Sequence, residues 1–269
     1  MRFKDLPRSS GVLLPITALP GGQGCGDAGP AARAFVDWLA AQGAKVWQTL
    51  PLNEPGRGNS PYSSCSAFAI SPLLISLDDL VSQELLKAHE LAGAPANSNC
   101  VDYAAQRPYR ARLLQLAAKR LVERQPNCLE ELLAEQPELL AAAHFENRKR
   151  IHGDARWWAW PIKARNPSLG DFDPTNTCIA AYLAIQVLAR RAWQALRDYA
   201  QSKEIILLGD LPIYVDHESA DAWQNPTLFA LHPNGAMALQ SGVPPDAFSD
   251  SGQLWRMPCF NWPAHGEDN

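Results

Sequence analysis

The stretch Gly58-Asn59-Ser60-Pro61-Tyr62-Ser63-Ser64-Cys65-Ser66-Ala67-Phe68-Ala69 gathers hydroxyl, amide and aromatic groups into one loop-forming segment. Ser60 and its polar neighbours can donate to and accept from hydroxyl groups, and the Tyr62 ring offers a flat face to the apolar side of a sugar. This is the chemistry of contact with a hydroxyl-rich ligand. Asp210 ends the run Ile205-Ile206-Leu207-Leu208-Gly209-Asp210, where a strand would deliver a carboxylate to the edge at which barrel enzymes collect functional side chains. The competing role for Asp210 is capping the turn that follows. In Gly252-Gln253-Leu254-Trp255, Gln253 can hydrogen-bond hydroxyl groups and Trp255 can line a groove, unless the tryptophan merely pins a loop.

A second pattern, Gly24-Cys25-Gly26-Asp27-Ala28-Gly29, is a literal GxGxxG between a strand and a helix, with Glu54 further on. It raises the alternative of a nucleotide-binding oxidoreductase. The dinucleotide fingerprint needs its first glycine directly after the strand, yet Thr17 to Gln23 intervene and include Pro20, so a flexible loop and helix start is the preferred reading. Trp157, Trp158 and Trp160 crowd one short segment and are assigned to packing between substructures. His144, His152, Asp171-Phe172-Asp173 and Asp246 have no metal-ligand spacing, and HExxH, EF-hand, GxSxG and P-loop patterns are absent from the sequence. No metal is expected. The six cysteines show no CxxC or CxH spacing and read as free thiols.

The elements that must hold these residues follow from periodicity. Gly11 to Ile16 reads as a short buried strand. Gly29-Pro30, followed by Phe35, Trp38 and Leu39, reads as an amphipathic helix ending near Gly43, and Val46 to Leu52 as the next strand. Strand, helix and strand imply a right-handed parallel unit. From about Asp78 to Asn166 the pattern is helical, with Leu113, Leu116, Ala117 and Leu121 on one face. A further helix carrying Ile185, Leu188, Ala192, Leu196 and Tyr199 leads into the third strand, Ile205 to Leu208. The Pro-, Gly-, Asn- and Ser-rich remainder predicts loops rather than another regular strand and helix pair. Pro15, Pro51 and Pro212 each stand near a strand end, where a residue without an N–H can leave a sheet. The expected organisation is 1-77 with two strands and the polar loop, 78-176 mainly helical, and 177-269 with a helix, the third strand and lid-like loops.

At 269 residues and 46% hydrophobic content the chain can bury a substantial core. A net charge of -4 leaves no basic footprint, so nucleic acid is not an expected partner. No apolar run approaches a membrane span, and the start lacks a signal-peptide core, so a cytoplasmic location is expected.

The polar loop, Trp157-Trp158-Ala159-Trp160-Pro161, Gly209-Asp210-Leu211-Pro212-Ile213-Tyr214-Val215 and Gly242-Val243-Pro244-Pro245-Asp246-Ala247-Phe248-Ser249, in this order, resemble the 4-alpha-glucanotransferases (amylomaltases). The resemblance implies an α/β fold: the N-terminal portion of an interrupted (β/α)8 TIM barrel with a helical insertion. It further implies retaining transfer of alpha-1,4-glucan segments between maltodextrins or to glucose, without a cofactor. Tyr62 would be a platform for a glucose ring, Asp210 a cleft contact, and Gln253 and Trp255 part of a lid-like loop. The chain departs from the resemblance at Arg256-Met257, where a Gly-Asn pair is common, and at Arg57, where some relatives carry an aromatic residue. Retaining transfer requires a carboxylate nucleophile and a carboxylic acid/base about 5 Å apart. In the family these lie in Arg-x-Asp-His and Glu-Asp-Leu-Gly segments, with a supporting Asp in His-Asp-Asn, and none of the three occurs in these 269 residues. The chain is therefore expected to be an inactive fragment of such an enzyme, with a non-catalytic glucan-binding module as the alternative.

Overall fold

A computed structural model of the chain describes residues 8–21, 23–56, 58–153, 155–165, 173 and 175–266. Arg57, Asp171 and Phe172 lie outside the described residues. The elements run β1 (Gly11–Leu13), α1 (Pro30–Ala41), β2 (Val46–Gln48), α2 (Leu77–Ser82), α3 (Tyr103–Arg124), α4 (Cys128–Glu135), α5 (Leu139–Ile151), α6 (Ile162–Arg165), α7 (Thr177–Ser202), β3 (Ile206–Leu208), α8 (Ala220–Gln224), β4 (Gln240–Val243), β5 (Gln253–Pro258) and α9 (Trp262–His265). They fall into two compact units.

The first unit comprises Met1–Leu52, Ile70–Glu131 and Ala184–Leu211. Its centre is a parallel sheet in the order β1-β2-β3, with Leu13, Gln48 and Leu208 in register at one end. The strands occupy the expected places but are shorter than the apolar runs that mark them. Pairing continues only through Leu14 N–H to Gln48 O (3.0 Å) and Thr49 N–H to Leu208 O (2.9 Å). Pro15 and Pro51 then follow, and a residue without an N–H cannot extend the ladder. Gly11 is required where it stands: a Cβ there would lie 2.5 Å from Val46 O on the neighbouring strand. The strands are also not buried on both faces as expected. Trp47 is fully enclosed and bonds Leu14 O through Nε1 (2.8 Å), whereas Leu13 is 55% exposed.

Helix α1 starts at Pro30 and ends before Gly43, whose φ of 72° supplies the left-handed turn that closes it. Its buried stripe is Ala32, Val36 and Leu39. Leu39 is on the expected face. Trp38 instead points outward and stacks on Phe35 at 5.6 Å, while Phe35 meets Trp47 edge-on at 4.9 Å. Helix α3 buries Leu113, Leu114, Ala117, Ala118 and Leu121, so three of the four predicted apolar positions are core. It is capped by Asp102, which accepts from Ala105 N–H (3.0 Å). From α7 the unit takes the buried row Ala184, Val187, Leu188, Leu196 and Ala200.

The second unit comprises Asn53–Ala69, Leu132–Leu183 and Pro212–Asn269. Its core joins Ala142 and Phe145 of α5, Trp157, Trp160 and Ala164, and Ala220 and Trp223 of α8. Trp157 and Trp160 are thus packing residues, and Trp158 is half-buried, stacked on the His217 ring at 3.8 Å. Gly235 fits because a Cβ would lie 2.7 Å from Trp158 Cβ. The region read as loops contains a regular element: β4 and β5 pair antiparallel, with Val243 opposite Gln253 and Gly242 opposite Leu254, and a register shift between Gln240 and Gly242. Pro-Gly-Ser richness hides this ribbon because both of its strands are short and largely solvated.

Candidate functional site

The polar loop belongs to the second unit and is held at its base as a small hairpin. Pro55 and Ser64 form an antiparallel bridge, Gly56 N–H donates to Ser63 O (2.7 Å) and Cys65 N–H to Glu54 O (3.0 Å). The Asn53 side-chain amide donates to Ser66 O (3.0 Å) and Ala67 O (2.9 Å). The tip carries Asn59 at φ 55°, exposed Ser60, and Tyr62 at 42% exposure. Tyr62 N–H donates to Ser60 Oγ (3.4 Å), so these two candidate contacts stand side by side. Burial pushes the Cys65 thiol up to about 12, which keeps it protonated and inert below the tip.

A second strip of chain, 214–221, locks this hairpin. Ser64 bridges Val215 in parallel, Asp216 N–H donates to Ser64 O (2.9 Å) and Ala220 N–H to Cys65 O (2.9 Å). The Ser63 hydroxyl donates to Asp216, and Ala67 N–H donates to Asp221 Oδ2 (3.0 Å). Burial pushes the Asp221 carboxyl up, and the Ala67 N–H it accepts pulls it back. Asp216 and Asp221 are the residues that sequence reasoning missed. Ser219 before α8, which accepts from Ala222 N–H (3.1 Å), marks the helix start, but nothing local announces partners more than 150 positions away.

The same strip begins at Tyr214, whose ring lies 6.3 Å from Trp255 and stacks on Phe260 at 5.7 Å. Phe260 in turn meets Phe229 at 5.5 Å and Trp262 at 5.2 Å. Gln253 and Trp255 lie on β5 rather than in a loop, and the structure brings them together: Trp255 Nε1–H donates to Gln253 Oε1 (3.1 Å). With Trp255 at 40% exposure, the ribbon presents a flat ring flanked by an amide, backed by Tyr214 and Phe260. Such an edge can stack on a sugar face while hydrogen-bonding its rim.

Asp210 belongs to the first unit, half-buried just beyond the C-terminal end of β3. The GxGxxG alternative fails in that unit. A one-turn 3-10 helix, Ile16–Ala18, separates it from β1, and Asp27 fills the place a pyrophosphate would take: its Oδ1 accepts from Gly29 N–H (3.0 Å) at the start of α1. The loop is pinned rather than loose. Arg110 of α3 reaches Asp27 Oδ2 (3.2 Å), Gly24 N–H donates to Asn97 Oδ1 (2.9 Å), and the Gln106 side chain donates to Gln23 O. Among the described residues no three His, Cys, Asp or Glu side chains gather as metal ligands, and no helix is long and apolar enough to cross a membrane.

Residues 14–269 match the profile of the 4-alpha-glucanotransferase family. The chain belongs to that family. It is 41% identical to the 4-alpha-glucanotransferase of Synechocystis sp., covering 95% of this chain and 53% of the relative. With the chloroplastic/amyloplastic 4-alpha-glucanotransferase of Solanum tuberosum it shares 39% identity, over 97% of this chain and 48% of the relative. The structure superposes on the amylomaltase from Streptococcus agalactiae in complex with acarbose with a TM-score of 0.89 at 33% identity, covering 97% of this chain and 55% of that one. The chain thus spans about half the length of the curated relatives it matches.

Membership of the 4-alpha-glucanotransferases gives the Arg256 departure a physical meaning. Arg256 sits on β5 at φ 61°, in the left-handed region where the Gly that the resemblance leads one to expect would be unstrained. An L side chain there costs about 1–2 kcal/mol, partly offset by the greater unfolded-state freedom of glycine. Replacing Arg256→Gly should therefore stabilise the chain by about 1 kcal/mol, seen as a raised thermal midpoint with the Trp255 environment unchanged in near-ultraviolet circular dichroism. A lowered midpoint would mean that the arginine side chain holds the ribbon.

Proposed function

We propose that this chain supplies sugar contacts of a 4-alpha-glucanotransferase, a retaining enzyme that moves alpha-1,4-glucan segments between maltodextrins or to glucose. The observation that carries the reading is the Gln253–Trp255 edge backed by Tyr214 and Phe260, in a chain that belongs to this family. Tyr62 and Ser60 at the hairpin tip add a second ring and hydroxyl within the same unit, and Asp210, in the first unit, is proposed as a sugar contact in its own right. In this reading the hairpin tip and the β4–β5 ribbon are excursions beyond strand ends of an interrupted (β/α)8 barrel, as in enzymes that vary such excursions on a fixed scaffold. The contacts orient glucan and take no part in bond making. Covalent transfer needs the nucleophile and acid/base carboxylates, whose family segments are not among these 269 residues. A cytoplasmic location belongs to the same proposal, although the potato relative's name places that protein in plastids.

Titration with maltoheptaose, followed by calorimetry, tests the reading. Saturable binding is expected. Tyr62→Ala should weaken it about tenfold, the loss of about 1.4 kcal/mol of ring contact. Incubation of the parent chain with maltotriose should release no glucose above a blank. Absence of saturable binding would overturn the sugar-contact reading, and turnover abolished by Asp210→Asn would show that the reacting carboxylates are here after all.

A further inference from the structure

The Asp216 carboxylate is used on both sides. Oδ2 accepts the Ser63 hydroxyl next to Tyr62, and Oδ1 accepts Glu218 N–H (2.8 Å) on its own strip. Backbone contacts run alongside, through Asp216 N–H to Ser64 O (2.9 Å) and the Ser64–Val215 bridge. The approach is close: a Cβ on Gly56 would stand 2.9 Å from Asp216 Oδ2, so the carboxylate would have to shift to admit one. Gly56 itself donates to Ser63 O and accepts from Asn59 N–H (3.1 Å), and Ser63 N–H donates to Ser60 O (3.1 Å). These turns of the tip that carries Ser60 and Tyr62 are thus tied to Ser63, which donates to this carboxylate.

We propose that Asp216 is a positioning residue that fixes the Ser60–Tyr62 tip in its glucan-contacting conformation. A charge-assisted hydrogen bond from a serine hydroxyl is stronger than a neutral one, and it spares the tip the ordering it would otherwise undergo when ligand binds. Asp216 touches no sugar in this scheme. It acts through Ser63, and the affinity it confers is that of a pre-ordered Tyr62 ring. The functional half of the inference rests on the glucan reading above; the clamp itself does not.

Amide hydrogen exchange and maltoheptaose affinity, measured on the same samples, separate the two. In Asp216→Ala, and in the milder Ser63→Ala, exchange at Gly56, Asn59 and Ser63 should rise about tenfold, with Leu113 and Ala117 in α3 unchanged. Affinity for maltoheptaose should fall about tenfold in Asp216→Ala and less in Asp216→Asn, whose amide oxygen can still accept one of the two donors. On a Tyr62→Ala background the Asp216→Ala change should add little, because the group it positions is gone. Unchanged exchange at the tip overturns the clamp. Raised exchange with unchanged affinity, or fully additive losses, overturns the positioning role. If the parent chain binds no maltoheptaose, the glucan reading fails, and the exchange data alone decide whether Asp216 orders the tip.

Discussion

Replacing Arg110→Met should destabilise the chain by about 3–5 kcal/mol near neutral pH, because it leaves the buried Asp27 carboxylate without its partner. Both side chains are almost wholly enclosed, at 1% and 8% exposure. Arg110 also donates to Ile75 O (2.7 Å), Gln106 Oε1 (3.3 Å) and Cys25 O (3.5 Å), so the variant orphans several acceptors in addition to the charge. The pH dependence identifies the cause. Burial pushes the Asp27 carboxyl above its ordinary value, while Arg110 and the Gly29 N–H hold it down. Without the guanidinium, burial is less opposed and the folded-state value climbs further. A carboxyl with a raised folded pKa favours the protonated folded form: its stability is fully present below the unfolded value, about pH 4, and is lost as pH rises through the folded value. The deficit of Arg110→Met should therefore shrink on acidification, and the double change Arg110→Met with Asp27→Leu should recover most of it at neutral pH. Urea midpoints across pH are the measurement. A deficit independent of pH would mean that lost packing and backbone hydrogen bonds dominate over the unpaired charge.

This ion pair also shows what the sequence withholds. Arg110 and Asp27 are 83 positions apart, on a helix and a glycine-rich loop whose local patterns point elsewhere, the loop toward a flexible connection and a helix start. Features set by the neighbouring few residues were legible. The apolar runs locate all three parallel strands, Pro30 and Gly43 bracket α1, and the Trp157-Trp158-Trp160 crowding announces a core. Features set by what another segment offers were not. Trp38 turns outward because Ala32, Val36 and Leu39 already fill the buried stripe, and the β4–β5 ribbon pairs through backbone groups that leave no apolar alternation. At the candidate site, Ser60, Tyr62, Gln253 and Trp255 could be picked by side-chain chemistry. Asp216 and Asp221 could not, since their importance lies in the amide and hydroxyl groups that the hairpin brings to them.

The second large effect is expected at Trp223, where the core and the Tyr62 hairpin meet within one unit. Its ring is fully enclosed, tilted against Phe145 at 5.6 Å and edge-on to Trp160 at 6.2 Å, with the Arg148 guanidinium 5.4 Å from its centre. Its Nε1–H donates to Ala164 O (3.1 Å). Trp223→Ala removes a large buried surface and leaves a cavity that the surrounding rings cannot fill, for a loss of about 3–5 kcal/mol; the Ala164 carbonyl loses one of its two side-chain donors and keeps Arg148 Nη1–H (3.3 Å). Trp223→Phe should cost less, because most of the ring contacts survive and only the indole donor is lost. Trp158→Ala should cost less again, since that ring is already half-buried. The loss should also reach the hairpin. Trp223 closes the short helix α8, which carries Asp221, the acceptor for Ala67 N–H, and begins at Ala220, the donor to Cys65 O. Loosening α8 therefore releases two of the bonds that hold the base of the Tyr62 hairpin. Amide exchange at Ala67 and Ala220 should rise in Trp223→Ala before the global unfolding transition, while α3 amides stay protected until that transition. If the hairpin and α3 amides exchange together in the variant, the two units unfold as one, and the tryptophan core has no separate hold on the site.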